Sequence, residues 1–209
     1  MNETLNTIQS WINHSPNKIN VVKRSNALNG CKSVLNVSEN SFLGAVIDAT
    51  GGLIFNNYIR HFGGENEYGL TILSVNNIID YRPTVISNML LIAVDIFGGI
   101  FSIDCGAFSK DNLGKVCYLP PDSYSWELMN FSHSVFLEWC IRGDLQAFYL
   151  PILERVNNMK LDNLQFDRIW SFSPDLWSGN SEVSCDEQVD CKKTIKMRLE
   201  MLSLISHHE

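Results

Sequence analysis

Met89-Leu90-Leu91-Ile92-Ala93-Val94-Asp95 and Ile100-Phe101-Ser102-Ile103-Asp104 are two apolar, β-rich runs separated by Ile96-Phe97-Gly98-Gly99. Glycine supplies the positive φ that tight strand turns need, so the stretch reads as a β-hairpin. Working outward, Val116-Cys117-Tyr118-Leu119 reads as a third strand, ended by Pro120-Pro121, and Ser125-Trp126-Glu127-Leu128 as a fourth. A helix over 132–141 would cover the sheet, with Val135, Phe136, Trp139 and Cys140 on one face. Gly143 is placed as the C′ residue that ends it. Asp144 then caps a short second helix that turns Leu145, Phe148 and Tyr149 inward, with Pro151 disturbing its end.

On the N-terminal side, Phe42-Leu43-Gly44-Ala45-Val46-Ile47-Asp48 reads as a strand, turned by Thr50-Gly51-Gly52 into Leu53-Ile54-Phe55. Asn56-Asn57 is a further turn signal, followed by a strand over 58–62 that stops at Gly63-Gly64. Glycine turns of this kind build an antiparallel meander. Residues 68–79 fit a short helix or a strand end equally well, and Asp80-Tyr81-Arg82-Pro83 is loop. Leu5, Ile8, Trp11 and Ile12 have the spacing of one helical face. Ile19-Asn20-Val21-Val22 is a short edge strand inside a polar stretch over 17–40. Residues 155–191 are expected to be rich in loop, with Trp170, Phe172 and Trp177 among them and an exposed, acidic character from Cys185 to Cys191. A terminal helix over 192–206 carries Ile195, Leu199, Leu202 and Ile205 as a stripe. The expectation is one α+β domain over 1–209: a mostly antiparallel sheet built from Gly-turn hairpins and flanked by helices.

At 209 residues and 45% hydrophobic, the chain is long enough for one sizeable core. Its net charge of −7 argues against a nucleic-acid backbone as partner and suits a basic protein. Met1-Asn2-Glu3-Thr4 lacks the basic start of a signal peptide, and the apolar run over 89–94 is too short to span a bilayer. A cytoplasmic location is expected, with no membrane partner. The six cysteines, Cys31, Cys105, Cys117, Cys140, Cys185 and Cys191, then favour free thiols over disulfides.

No phosphate loop, dinucleotide fingerprint, zinc-protease helix motif or nucleophile elbow is present. The Gly-Gly pairs read as turns, since none opens a helix after a strand. Cys185 and Cys191 are spaced too widely for a zinc knuckle with His207 and His208, so no metal and no cofactor is expected. His133 and Cys140 lie two helical turns apart, too far for a thiol–imidazole pair; a helix-start histidine and a core cysteine are the simpler reading. Asp48, Asp95 and Asp104 end or follow strands. They would do acid–base work only if the strand ends converged, and aspartate at strand ends is also ordinary turn chemistry.

Several blocks resemble a bacterial family of unknown function, the DUF2625-type proteins. They are Ala45 through Ile54 with Tyr58 through Gly63, Asp95 through Asp104, and Val116 through Asp122 with Trp126-Glu127. Ser134 through Trp139, Gly143 through Tyr149 and Trp170 through Trp177 complete the order. The resemblance spans about Leu5 to Thr194, and the chain departs from it over 68–77, where the usual Pro-containing turn with a Trp is missing. The block order is also similar to the SUKH superfamily, the Smi and Knr type of α+β proteins. That similarity implies a SUKH-like sheet flanked by helices, and a role as an immunity protein that neutralises a polymorphic toxin or as a scaffold.

The functional expectation is therefore a non-enzymatic protein-binding domain, its partner a basic toxin domain. Candidate contacts are Asp104, Asp111, Asp122, Tyr124, Trp126 and Glu127, in or beside the connections over 104–115 and 122–127. Loops there can vary without loss of the core, and Tyr124 and Trp126 offer contact area beside the charge. The alternative is a small-substrate hydrolase or transferase using Asp48, Asp95 and Asp104.

Overall fold

In a computed structural model, residues 3–25, 35–77, 88–157, 159 and 164–206 are described. Seven strands form an antiparallel sheet in which each strand pairs with the next in sequence. They are β1 (Ile19–Val22), β2 (Gly52–Phe55), β3 (Ile59–Phe62), β4 (Met89–Asp95), β5 (Ile100–Asp104), β6 (Lys115–Leu119) and β7 (Glu127–Ser132). The fold is thus α+β, and the hairpin read from residues 89–104 is its centre, with Leu90 facing Ile103 and Val94 facing Ile100.

The turn between β4 and β5 is fixed by both of its ends. Gly98 has φ of +92°, a conformation that side chains with a Cβ rarely adopt. The Asp95 carboxylate accepts from the amides of Phe97 and Gly99 at 2.9 and 2.8 Å. A short polar side chain that bonds backbone two residues on is what closes such a turn.

Residues 42–48 are not a strand. α2 (Phe42–Ala49) is a helix whose N-cap is Ser41, its hydroxyl accepting from the Gly44 amide at 2.9 Å. Leu43 through Ile47 are all buried, so the helix is enclosed and shows no polar face from which its period could be read. The Thr50-Gly51 step consequently joins a helix to β2. Within 68–79, α3 (Ile72–Asn76) is a short helix closed by a capping box between Thr71 and Ser74; residues 78–83 lie outside the described residues.

α1 (Glu3–Asn13), α2 and α4 (His133–Arg142) pack together. His61 of β3 meets His133 and Phe136 of α4. Gly143 ends α4 in an extended conformation rather than a left-handed one. Its need for glycine is closeness, since a Cβ would sit 2.6 Å from the Trp139 carbonyl oxygen. α5 (Leu145–Leu153) follows, its N-cap Asp144 accepting from the Ala147 amide at 2.9 Å.

Residues 155–191, expected to be loop-rich, hold a second sheet of β8 (Val156–Asn157), β10 (Val183–Asp190) and β9 (Arg168–Ser173), in that order. β10 pairs with β8 in parallel and with β9 antiparallel. α6 (Cys191–Ser206) leads directly out of β10, and Cys191 is buried rather than exposed. The Trp170 amide donates to the Ile96 carbonyl at 2.9 Å, fastening β9 to the β4–β5 turn. Among the described residues, no helix is long and apolar enough to cross a membrane.

Candidate functional site

A groove of about 410 Å³ opens where the second sheet and α6 meet the end of the main sheet. Each wall has a simple local origin. The β4–β5 turn presents Phe97. Alternation along β9 puts Trp170 and Phe172 on one side of the strand. The 3-10 turn Leu176–Ser178 adds Trp177, and the connection between β6 and β7 adds Pro121 and Tyr124. On α6, Lys193, Met197 and Met201 recur every four residues and so form one stripe along the helix.

The aromatic walls are in contact with one another. Phe97 and Phe172 stack at 6.1 Å between ring centroids, and Tyr124 meets Trp177 at 5.7 Å. The Tyr124 hydroxyl donates to Met201 Sδ at 3.6 Å. Trp177 and Met197 remain 43% and 52% exposed, unusually open for side chains of that size.

Arg198 joins the two halves of the groove. Its Nη1 donates to the Pro121 carbonyl at 2.6 Å, and Nη2 donates to the carbonyls of Pro120 and Ser123 at 2.6 and 2.8 Å. Its guanidinium carbon lies 5.7 Å from the centre of the Tyr124 ring. Burial lowers its pKa, opposed first by the nearby Asp95 carboxylate. Burial likewise raises the Tyr124 hydroxyl, with Arg198 opposing. Two N–H groups of groove residues are buried without a hydrogen-bond partner: Arg198 Nε and Trp170 Nε1.

The candidate contacts read from the sequence are split by the fold. Asp104 and Asp111 lie at one end of β6, Asp122 and Tyr124 at the other, roughly 15 Å away at the usual rise per strand residue. Tyr124 alone of the six lines the groove. Asp104 is buried, its Oδ1 accepting from the amides of Gly106 and Ala107 while Oδ2 has no partner. Asp111 is exposed in the one-turn helix Lys110–Asn112. Asp122 pairs with Arg155 at 3.0 Å. Glu127 is exposed at the start of β7, opposite Tyr118. Trp126 is half-buried, its indole N–H unpaired.

The three strand-end aspartates do not share a pocket. Asp104 faces Met89 across the β4–β5 ladder, and Asp95 lies six residues further along β4, roughly 20 Å away. Asp48 is in the last turn of α2. Asp95 also accepts from the hydroxyls of Tyr118 and Tyr149 at 2.7 and 3.3 Å, and burial raises its pKa in spite of these bonds. Cys185 is half-exposed on β10, Cys191 is buried at the start of α6, and His207 and His208 lie outside the described residues.

Arg198, Met197, Met201 and Phe97 were not singled out as site residues from the sequence. The four-residue recurrence of Lys193, Met197 and Met201 was legible there, beside the apolar stripe one row over.

A family model described as "Protein of unknown function DUF2625" matches residues 1–200. An uncharacterized protein of Haemophilus influenzae is 26% identical over 186 residues, covering 87% of this chain and 81% of its own. The uncharacterized protein YbfG of Escherichia coli (strain K12) is 27% identical over 210 residues, covering 96% of each chain. No solved structure matches the chain.

Proposed function

The chain belongs to the DUF2625 family, and as the function of this member we propose a non-enzymatic protein-binding domain of the immunity type, holding a toxin domain at the groove. One observation carries the reading. Large apolar side chains, Trp177 and Met197 above all, stand open at the rim of a groove whose interior is aromatic and methionine-rich. Aromatic side chains are the usual anchors of protein interfaces, and methionine adapts its shape to what it meets. The SUKH-like order of sequence blocks points to the same class of role.

The dispersal of Asp48, Asp95 and Asp104 favours binding over the alternative of a hydrolase or transferase built on them. The five described cysteines are all unpaired, which agrees with a cytoplasmic setting. The net charge of −7 would steer a basic partner at long range and disfavour nucleic acid.

The test is photo-crosslinking inside the cell, with a benzophenone side chain placed at Met197 or, as control, at Val135 on α4, which is also exposed. The reading expects one discrete protein adduct from Met197, none from Val135, and rescue of growth when that protein is co-expressed with this chain. Identical adducts from both positions, or a captured protein with no effect on growth, would overturn it.

A further inference from the structure

We infer that Met197 is a modification site, oxidised at sulfur by a hydroperoxide, and that the sulfoxide releases the protein held at the groove. The second half rests on the reading of the groove as a protein-binding surface; the first does not. Among the described methionines, Met197 alone is exposed, at 52%. Met89 is buried, and Met129, Met159 and Met201 are half-buried. Met201 stands one helical turn further along the same stripe, but its sulfur accepts from the Tyr124 hydroxyl at 3.6 Å. That bond occupies a sulfur lone pair, which attack on a peroxide needs. Two thioethers of one groove are thus set apart, one open and one guarded.

A lone pair of Met197 Sδ attacks one oxygen of hydrogen peroxide, and the S–O bond forms as the O–O bond breaks. Sulfur loses two electrons and the peroxide gains them. The departing hydroxide takes the proton of the transferred oxygen and leaves as water. Oxidation turns a flexible apolar side chain into a polar one. Met197 shares the groove with Phe97, Tyr124, Phe172 and Trp177, so a partner seated there would bury the new oxygen among aromatic rings. A polar atom buried without a hydrogen bond costs free energy. In the free chain the same oxygen stays in water, because Met197 is exposed. The modification therefore weakens binding and spares the fold.

Two measurements test this. The purified full chain, treated with hydrogen peroxide and mapped by mass spectrometry, should oxidise at Met197 severalfold faster than at Met201, Met129 or Met159. Tyr124→Phe keeps the ring but removes the hydroxyl, and should speed oxidation of Met201 while leaving Met197 unchanged. Chain oxidised at Met197 alone should keep its thermal midpoint. In cells, a benzophenone at Lys193, which is exposed and also lines the groove, should capture the same protein as one at Met197. Exposure of the cells to peroxide should cut that yield roughly tenfold, as burial of a polar atom implies. Met197→Leu is apolar and has no sulfur, and should hold the yield under peroxide. Equal oxidation of Met197 and any half-buried methionine, an unchanged Met201 rate in Tyr124→Phe, a lowered midpoint, an undiminished yield, or equal loss of yield in Met197→Leu overturns the inference. If one of these occurs while the adduct forms before peroxide, the switch falls and the protein-binding reading stands. Absence of the adduct before peroxide brings down both.

Discussion

His61 and His133 lie with their Nε2 atoms 2.8 Å apart, joining the middle of β3 to the first turn of α4 inside the core. His61 Nδ1 is 2.9 Å from the Phe62 carbonyl, which can only accept, so the proton of a neutral His61 sits on Nδ1. Its Nε2 is then the acceptor, and His133 Nε2–H donates. Protonating His61 would set two N–H groups against each other, and protonating His133 would bury a charge beside it. Burial pushes the His61 pKa down to about 4, against the Phe62 carbonyl, and lowers His133 well below the usual range, with His61 adding to the effect.

Acid should therefore weaken the fold. Below about pH 6.5 the unfolded chain takes up protons that the native pair refuses, so stability falls with pH until the native group titrates near 4. The contribution is whole above 6.5 and gone below 4. The two rings titrate as a pair, and the loss over that window is on the order of a few kcal/mol. Urea melts from pH 7 to 4 should show the loss in the wild type and a shallower slope in His61→Leu/His133→Leu. Parallel slopes would show that the pair is not the source.

How far the sequence reveals this molecule depends on the range of the signal. The β4–β5 hairpin, β6, α4 and α5 are marked by local punctuation: Gly98-Gly99, Pro120-Pro121, Gly143 and Asp144. α2 was misread because a run enclosed on all sides has no period, and its cap Ser41 lay just outside the run. β10 was missed because Val183 through Asp190 alternates poorly and is largely polar, being exposed along much of its length. The His61–His133 contact spans 72 residues, and neither histidine's surroundings announce the other. Arg198 binds carbonyls 75 to 78 residues away, and a carbonyl has no sequence signature. Tyr124 was singled out from the sequence and lines the groove, but the groove around it was not legible.

Asp95 is expected to act as a tie rather than a catalyst. Asp95→Ala would strand the Phe97 and Gly99 amides and the Tyr118 and Tyr149 hydroxyls, at a cost of roughly 3 kcal/mol or more. Denaturant midpoints should fall accordingly, without a change in slope. A variant of wild-type stability would reopen a chemical role for this carboxylate.

Gly98→Val forces a β-branched residue into φ of +92°, where no shortage of space is at fault, since the nearest atom to an added Cβ is 3.7 Å away. Backbone strain of about 1–3 kcal/mol should lower the thermal midpoint by several degrees and favour aggregation. An unchanged midpoint would refute the turn as described.

The acidic contacts and the groove make opposite predictions for one partner. Asp111→Lys with Glu127→Lys alters charge at residues that do not line the groove. It should leave adduct formation at Met197 intact, while slowing encounter with a basic partner at low salt by an effect that fades as ionic strength rises. Trp177→Ala with Tyr124→Ala removes two anchors that touch each other, and should abolish the adduct at any salt. Trp177 is exposed and Tyr124 half-buried, so the double variant should keep most of its thermal stability, which separates lost binding from lost folding. If the charge-reversed pair loses the adduct at high salt while the double alanine variant keeps it, the partner sits on the surface at Asp111 or Glu127 and the groove is not its site.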